Sequence, residues 1–475
     1  MFRHTRTFVK KTYLCISKYR NNNMKRQLTM IAATVLLATA GFAQKQWTLK
    51  ECMDYAMQNN ITLKKSRLQR QSAQEDIKQS KAALLPSLSA STNQSLGYRP
   101  WQDAGTTTVT NGTVNTKVNK SYYNGSYGLN AQWTVWNGGR NTNQVKLNRL
   151  SEQQAELSES ETANSIQEKI AQLYVQILYL TEAITVDSAS LETSKKNEER
   201  GREMVEVGKM SKADLAQLTA QRSSDEYAIV EAESQLANYK LQLKQLLELT
   251  GDEPFDVAIP KTTDEMALAP VPGLQSVYEA ALISRPEIEN AQIAVKSSDM
   301  SIAIAKAGHL PTINMTGGLG TSNNSLSNKS YGNQVKTNFD ASAGVSLSIP
   351  ILDQRQTKTN ISKARIQKEQ ALLDLQDRQK QLYQTIEGYW LDANTNQQKF
   401  RAAMTTVESE QQSYDLLSEQ FRLGLKNIVE LLNGKTNLLN AQQNMLQSKY
   451  LTILDIQLLK FYSGPDVKPS LNGEE

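Results

Sequence analysis

The chain has 475 residues, of which 21% are charged and 39% hydrophobic, with only two cysteines and two histidines. Its formal charge of +5 misleads: residues 1–43 hold eight of the 53 basic residues and none of the 48 acidic ones, so the remainder is slightly acidic. That balance removes the compositional support for a nucleic-acid partner, and Cys15 and Cys52 alone make no disulfide framework.

Met24-Lys-Arg opens a secretory signal, with Leu28 to Ala40 as its apolar core and Gly41-Phe-Ala43 as small residues at the cleavage position. The core is too short to span a bilayer as a helix, and no cysteine follows the cleavage position to carry a lipid. Residues 1–23 read as an upstream extension, and the mature chain is expected to begin at Gln44, outside the cytoplasm. Leu49 to Leu85 reads as a helix broken at Asn59-Asn60 and ended by Pro86.

After Pro86 the apolar period changes from about 3.5 to 2. Leu88, Ala90 and Leu96 alternate weakly through a strand at about 87–98. The strand at about 122–136 alternates strongly, with Tyr127, Leu129, Ala131, Trp133 and Val135 against polar or glycine neighbours. Between them, Arg99–Ser121 is rich in Asn, Thr, Ser and Gly and reads as a solvated loop. Gly138 to Leu249 is proline-free, with Ile166, Ile170, Leu173, Ile177, Leu180 and Ile184 on one heptad seam. Its reversal is Met204-Val-Glu-Val-Gly208-Lys-Met-Ser-Lys-Ala-Asp214.

The pattern then repeats. A second helical segment breaks at Arg285-Pro286, with Pro286 suited to a first helical position, and ends at Pro311. Strands are expected at about 311–320 and 338–350, separated by a polar loop, Thr321–Thr337. The stretch Leu352 to Phe461 is again proline-free, with Leu372, Leu375, Gln379, Leu382, Ile386, Tyr389 and Ala393 on its seam and a reversal at Gly424 and Asn427. Two antiparallel helices of about 65 and 35 residues are expected, the longer reaching roughly 100 Å. A shift of 216 places Gly208 on Gly424, Asp214 on Glu430 and Ile170 on Ile386; a shift of 225 places Ala56 on Ala281 and Pro86 on Pro311. The chain is an internal duplication, with repeats at 44–260 and 261–464 and a tail at 465–475.

Strands of this length suit a tilted crossing of a bilayer, and aromatics gather at their ends at Tyr98, Trp101, Tyr122, Tyr123, Trp133 and Trp136. The competing view is a half-buried sheet packed on a soluble core. Against it, the polar face is hydroxyl, amide and glycine with almost no charge. Four strands cannot close a barrel, whereas three copies would supply twelve and leave no open edge in lipid.

The duplicated strand-pair and long-helix order, the signal segment and the tip pattern aromatic-x-x-Gly-x-x-x-x-x-acid-x-Leu together resemble the TolC family of outer-membrane efflux channels, across Leu49–Gly464. The resemblance implies an α+β membrane protein in which the hairpins of a homotrimer form a periplasmic α-barrel, continuous with a twelve-stranded β-barrel in outer-membrane lipid. It implies a passive exit duct for a tripartite efflux pump or type I secretion system. Its helical tips would dock a periplasmic adaptor, which links the duct to an inner-membrane transporter of the RND or ABC type. Gly208, Lys209, Gly424 and Leu425 fall on the docking turns. Lys426 falls where the best-known member of the family has an arginine that helps hold the entrance closed, and Asp214 on an acidic partner of that lock. Glu430 falls on one of the aspartates that ring the entrance. Asn433 replaces the second acid, and lysine for arginine gives up bidentate geometry, so a weaker lock is implied.

On the residues alone, Asp214, Lys426 and Glu430 read equally as solvated helix charges. His309 and Cys52 read as structural. No Ser/His/Asp set, metal-spaced cluster or cofactor motif is present, and Gly317-Gly-Leu-Gly320 leads into a polar loop rather than a helix, so the nucleotide-loop reading fails. Two rivals stay open at this level: a periplasmic adaptor, which needs one hairpin flanked by small β domains, and a trimeric coiled-coil surface protein, which needs one rod and a terminal anchor.

Overall fold

The computed structural model describes residues 46–101, 104–109, 112–117, 119–251, 255–260 and 262–464; the signal segment and the tail at 465–475 lie outside the described residues. In chain order the elements are β1 (Gln46–Trp47), α1 (Leu49–Asn59), α2 (Ile61–Ala82), β2 (Ser87–Tyr98), β3 (Ala104–Val109), β4 (Gly112–Lys117) and β5 (Ser121–Trp136). The first long hairpin follows as α3 (Arg140–Glu206) and α4 (Lys212–Leu246), and then β6 (Asp256–Val257). The second half runs α5 (Asp264–Ala267), α6 (Leu274–Ser284), α7 (Pro286–Lys306), a 3-10 turn at Ala307–His309, β7 (Thr312–Asn324), α8 (Tyr331–Thr337), β8 (Asp340–Ser348), α9 (Gln356–Arg422) and α10 (Ile428–Ser463). The long helices have 67 and 35 residues in the first half and 67 and 36 in the second, as their proline-free heptads required.

Two loops are more ordered than their polarity suggested. Within Arg99–Ser121, β3 and β4 pair antiparallel; the run of Thr and Val is β-branched, and strand preference follows branching rather than apolarity. Within Thr321–Thr337, β7 extends to Asn324, a turn follows, and α8 occupies Tyr331–Thr337. There the Gln334 amide donates to the Lys329 carbonyl at 2.7 Å and accepts the Asn324 N–H at 2.8 Å.

The core lies where the short helices pack on the middle of the long ones. Around α1 and α3 it gathers Cys52, Met53, Ala56, Ile170, Tyr174 and Ile177, and around α6 and α9 Val277, Ala281, Leu382 and Ile386. Ala56 and Ala281 are both fully buried, as are Ile170 and Ile386, so the positions matched by the repeat share an environment. The breaks between short helices also serve one purpose in both halves. Asn60 donates to the Leu246 carbonyl at 2.9 Å. Arg285 lies over the ring of Tyr462, 4.2 Å from its centroid, and pairs with Glu287 at 2.9 Å. Leu246 and Tyr462 are one position under the shift of 216, so each break latches the end of its own return helix.

The long helices start alike. Asn137 Oδ1 accepts the Asn141 N–H at 3.2 Å, and Asp353 Oδ2, 216 residues later, accepts the Thr357 N–H at 2.7 Å. The next two residues are left-handed in each half: Gly138 and Gly139 at φ +68° and +78°, Gln354 and Arg355 at +52° and +69°. Where glycine stands in the first half, the second holds two side chains in a conformation that disfavours them.

Near the tips the duplication swaps sizes. A methyl group on Gly201 would come within 2.5 Å of Leu218 Cδ1, and one on Gly434 within 2.6 Å of Leu417 Cδ1. Gly201 and Leu417 are one repeat position, and Leu218 and Gly434 the other, so each hairpin places one leucine against one glycine with the roles exchanged. Gly434→Leu is expected to destabilise the protein by roughly 1–3 kcal/mol through overpacking. Adding Leu417→Gly, which copies the first hairpin, should recover most of the loss in thermal melts of the detergent-solubilised protein; equal melting of single and double variants would refute the size exchange.

Candidate functional site

The sheet is built so that one face is apolar across every strand. Its order is β2-β5-β7-β8, all neighbours antiparallel. Cross-strand partners share a face, and the register aligns Leu88, Ala131, Gly317 and Ala343, then Ala90, Leu129, Leu319 and Ala341, then Trp133, Met315 and Val345. Leu88, Val345 and Leu347 are 60–74% exposed, a contiguous apolar surface that nothing in the chain covers. The opposite face carries Ser89, Asn130, Gly318 and Ser342 in one row and Ser91, Gly128, Gly320 and Asp340 in the next.

One residue departs from strict alternation. A bulge between Thr134 and Trp136 takes Val135 out of the pairing and sets Trp136 opposite Ile313, so Trp136 and not Val135 continues the apolar row that ends at Leu347. At the same boundary the Trp133 indole N–H donates to the Leu84 carbonyl at 2.9 Å, tying the strand to the helix end beneath it. Among the described residues no helix is long and apolar enough to cross a membrane.

At the far end of the helices, Gly208 and Gly424 both stand at φ +73°, the left-handed turn that ends each descending helix. Each returning helix starts on a side-chain cap. Ser211 Oγ accepts the Asp214 N–H at 3.0 Å, and Asn427 Oδ1 accepts the Glu430 N–H at 2.9 Å. Both acids thus sit in the first turn, where the helix dipole favours them. Within the chain Lys426 pairs with Glu430 on its own turn, while Asp214 accepts the Ser211 hydroxyl at 2.8 Å. Lys209 and Leu425 are exposed on the two turns, Leu425 at 71%.

Between the hairpins lies a constellation that sequence reasoning missed. The Lys435 ammonium on α10 donates to Asp225 Oδ2 on α4 and to Ser194 Oγ on α3. Ser194 Oγ donates in turn to the same carboxylate at 2.6 Å, and Gln221 Nε2 reaches its other oxygen at 2.9 Å. The Lys435 and Asp225 side chains are only 5% and 6% exposed. A signal was present: Lys435 stands between Leu431 and Leu438, a charge at a heptad seam position. Removing one partner of such a pair costs about 3–5 kcal/mol, because the other charge stays buried.

Burial shapes the remaining seam groups as well. It pushes the Asp187 carboxyl above the usual range, although Gln443 donates to it at 2.7 Å. It raises Asp455 to about 7, more than the Asn396 amide at 3.0 Å offsets. It also raises the Tyr389, Tyr450 and Tyr462 phenols, which stay protonated and donate. Cys52 is a fully buried packing residue, and His309 lies in the 3-10 turn before β7. Among the described residues no cluster of three or more His, Cys, Asp or Glu is placed to hold a metal ion.

This architecture has known counterparts. The model of the outer membrane efflux protein family matches residues 53–248 and 277–464. The chain is 24% identical over 424 residues to the outer membrane efflux protein BepC of Brucella suis, covering 89% of this chain and 87% of that one. It is 23% identical over 441 residues to the outer membrane protein TolC of Vibrio cholerae, covering 92% and 95%. Among solved structures, the CmeC outer membrane channel of Campylobacter jejuni superposes with a TM-score of 0.72 at 19% identity, covering 90% of this chain and 87% of that one. The outer membrane protein VceC of Vibrio cholerae superposes at 0.69 and 17% identity, covering 88% and 96%.

Two outcomes are expected. Val345→Arg, on the apolar face, should cost about 2–4 kcal/mol in hydrocarbon and impair membrane insertion. Ser346→Arg should insert normally; the reverse ranking in membrane fractions would overturn the face assignment. The raised Asp455 group is protonated more in the folded than in the unfolded chain between its ordinary 3.8 and about 7, so its penalty grows as pH rises through that window. Asp455→Asn should raise the melting temperature at pH 8 and make little difference at pH 4; a pH-independent effect would refute the burial argument.

Proposed function

The chain belongs to the outer membrane efflux protein family, and from that premise we propose how this outer-membrane exit duct assembles and is gated. Three copies close a twelve-stranded barrel in the membrane, and their six hairpins form a helical tube in the periplasm. The observation that carries this reading is the sheet itself. Its marginal strands, β2 and β8, run in opposite directions, so β8 of one copy can pair antiparallel with β2 of the next. Left open, those margins would put unpaired backbone groups into hydrocarbon. Closed three-fold, the apolar rows face lipid and the hydroxyl and amide rows face the bore.

The tip turns are the docking surface. Val207, Leu423 and Leu425 are 61–71% exposed there, apolar side chains set beside Gly208, Lys209 and Gly424. They suit a periplasmic adaptor whose other end engages an inner-membrane transporter of the RND or ABC type, which supplies the energy; the duct itself is passive. Neither the adaptor nor the coiled-coil surface reading finds support, since two hairpins share one four-stranded sheet.

Asp214, Lys426 and Glu430 form the gate in this reading. The exposed Lys426–Glu430 pair is worth only about 0–1 kcal/mol. Lys426 can therefore exchange Glu430 for Asp214 of an adjacent copy, which leaves Glu430 facing the narrowed bore. Three symmetric copies make the contacts form and break together.

Native mass spectrometry in detergent should show a trimer, and a stable monomer with intact β-content would overturn the assembly. In planar bilayers, Lys426→Glu with Glu430→Gln should raise single-channel conductance and lower cation preference. Wild-type conductance and selectivity in a correctly inserted double variant would remove these residues from the gate.

A further inference from the structure

The apolar face of the sheet changes character along its length. From the helix end it is apolar through four rows, from Trp136, Ile313 and Leu347 to Ala90, Leu129, Leu319 and Ala341. The next two rows on the same face are Thr92, Tyr127 and Thr321, then Gln94, Gly125 and Asn323. There the amides lie flat on the sheet. Gln94 Nε2 donates to Thr92 Oγ1 at 2.8 Å, Gln94 Oε1 accepts the Tyr123 hydroxyl, and a methyl group on Gly125 would come within 2.3 Å of Asn323 Oδ1. Ile313 and Thr321 are eight residues apart on β7. At about 3.4 Å per residue and a tilt of about 40°, that is roughly 20 Å along the membrane normal, close to the height of an apolar barrel band. The polar rows therefore stand where hydrocarbon gives way to headgroups, on the side away from the long helices.

Helix α8 packs against these rows. The Thr321 hydroxyl donates to the Val335 carbonyl at 2.6 Å, the Tyr127 and Tyr331 phenols share a hydrogen bond, and Asn338 Nδ2 donates to the Ser322 carbonyl at 2.7 Å. Tyr331, Gln334, Val335 and the capping Asn338 thus hold the side toward the sheet, at the three- and four-residue spacing of one helix face. Lys336 falls on the other side and is exposed, as is Lys329 in the turn before the helix. Across β2, β5, β7, α8 and β8 the sole acid is Asp340, in the row of Ser91, Gly128 and Gly320 on the opposite, polar face. Two ammonium groups therefore flank Tyr331 at headgroup level, with no carboxylate of these elements on their face.

We propose that α8 and the turn before it dock a lipid of the outer leaflet whose headgroup is anionic and carries phosphate. The Lys329 and Lys336 ammonium groups take the phosphate, and Tyr331 lies where headgroup meets acyl chain. Charge complementarity selects the anion. The geometry selects a lipid over a free phosphate, because two exposed and strongly hydrated ammonium groups hold a lone anion weakly. A lipid seated on them lays its acyl chains over Leu129, Leu319 and Ala341, directly below on the same face. Lysine and tyrosine suit that boundary, each joining an apolar stem or ring to a polar end. The inference rests on the reading that the apolar face meets lipid.

The test titrates the full-length protein in non-ionic detergent with diphosphoryl lipid A, its dephosphorylated form and phosphatidylcholine, counting bound lipid by native mass spectrometry. Wild-type protein should retain the diphosphoryl lipid well above the other two. Lys329→Gln with Lys336→Gln should weaken that binding about tenfold and leave the other two lipids unchanged. Lys358→Gln with Lys363→Gln, exposed on α9 far from the sheet's outer end, should behave as wild type. Equal binding of the phosphorylated and dephosphorylated lipids by wild-type protein would overturn the proposal, and that comparison needs no variant. So would undiminished binding in the first double variant, or an equal loss in the second, which would mark indiscriminate adhesion to lysine. Inorganic phosphate at matched concentration should not displace the lipid; displacement would assign the lysines to a free anion instead. Failure of the lipid-face reading would show separately, as Val345→Arg inserting like wild type.

Discussion

A strand immersed in hydrocarbon can send its N–H and C=O groups only to another strand, and a four-stranded sheet leaves two margins unsatisfied. Much of this chain follows from that constraint. It accounts for why one face of every strand is apolar and why the register lines those residues into rows, and it is the reason closure by three copies is proposed. In the proposed trimer it would also set the width of what hangs beneath. The chain enters its strands from α2 and α7 and leaves them into α3 and α9, so in that assembly the helices would follow the circumference of the strands.

The helical part solves a different problem. Four long helices offer more seam than core, and apolar heptads alone permit several neighbours and registers. The hydrogen bonds from Tyr450 to Glu182, Gln443 to Asp187 and Lys435 to Ser194, all between α3 and α10, select one. Low local dielectric makes such polar networks costly when mismatched, so they discriminate where leucines do not. The latches at Asn60 and Arg285 act at the other end of the return helices, one through an amide and one through a guanidinium over an aromatic ring.

Legibility from sequence followed the range of the physics. The tip turns were readable because glycine and the capping residues act within a few positions, and Gly208, Gly424, Ser211 and Asn427 stand where that local chemistry puts them. The lengths of the long helices, and the faces of the strands up to Thr134, followed from periodicity. Trp136 did not, because a bulge shifts alternation by one residue without a compositional mark. The strands within Arg99–Ser121 were hidden by threonine, polar by composition but strand-forming by shape. Lys435 was visible as a charge inside a seam, yet its partners lie 210 and 241 residues away on two other helices, which no local pattern encodes.

The exchanged leucine and glycine near the tips also bear on how such a gene can change. A duplicated gene is prone to unequal crossover between its own halves. A crossover at the tip turns would join α3 directly to α10, setting Gly201 opposite Gly434 and leaving a void where each hairpin now has a leucine. The reciprocal product would join α9 to α4 and drive Leu417 against Leu218. Whole hairpins carry their complementarity with them, but half hairpins do not. The packing therefore acts as a barrier to recombination within the repeat, and it lets the two halves diverge in sequence while the chain keeps both.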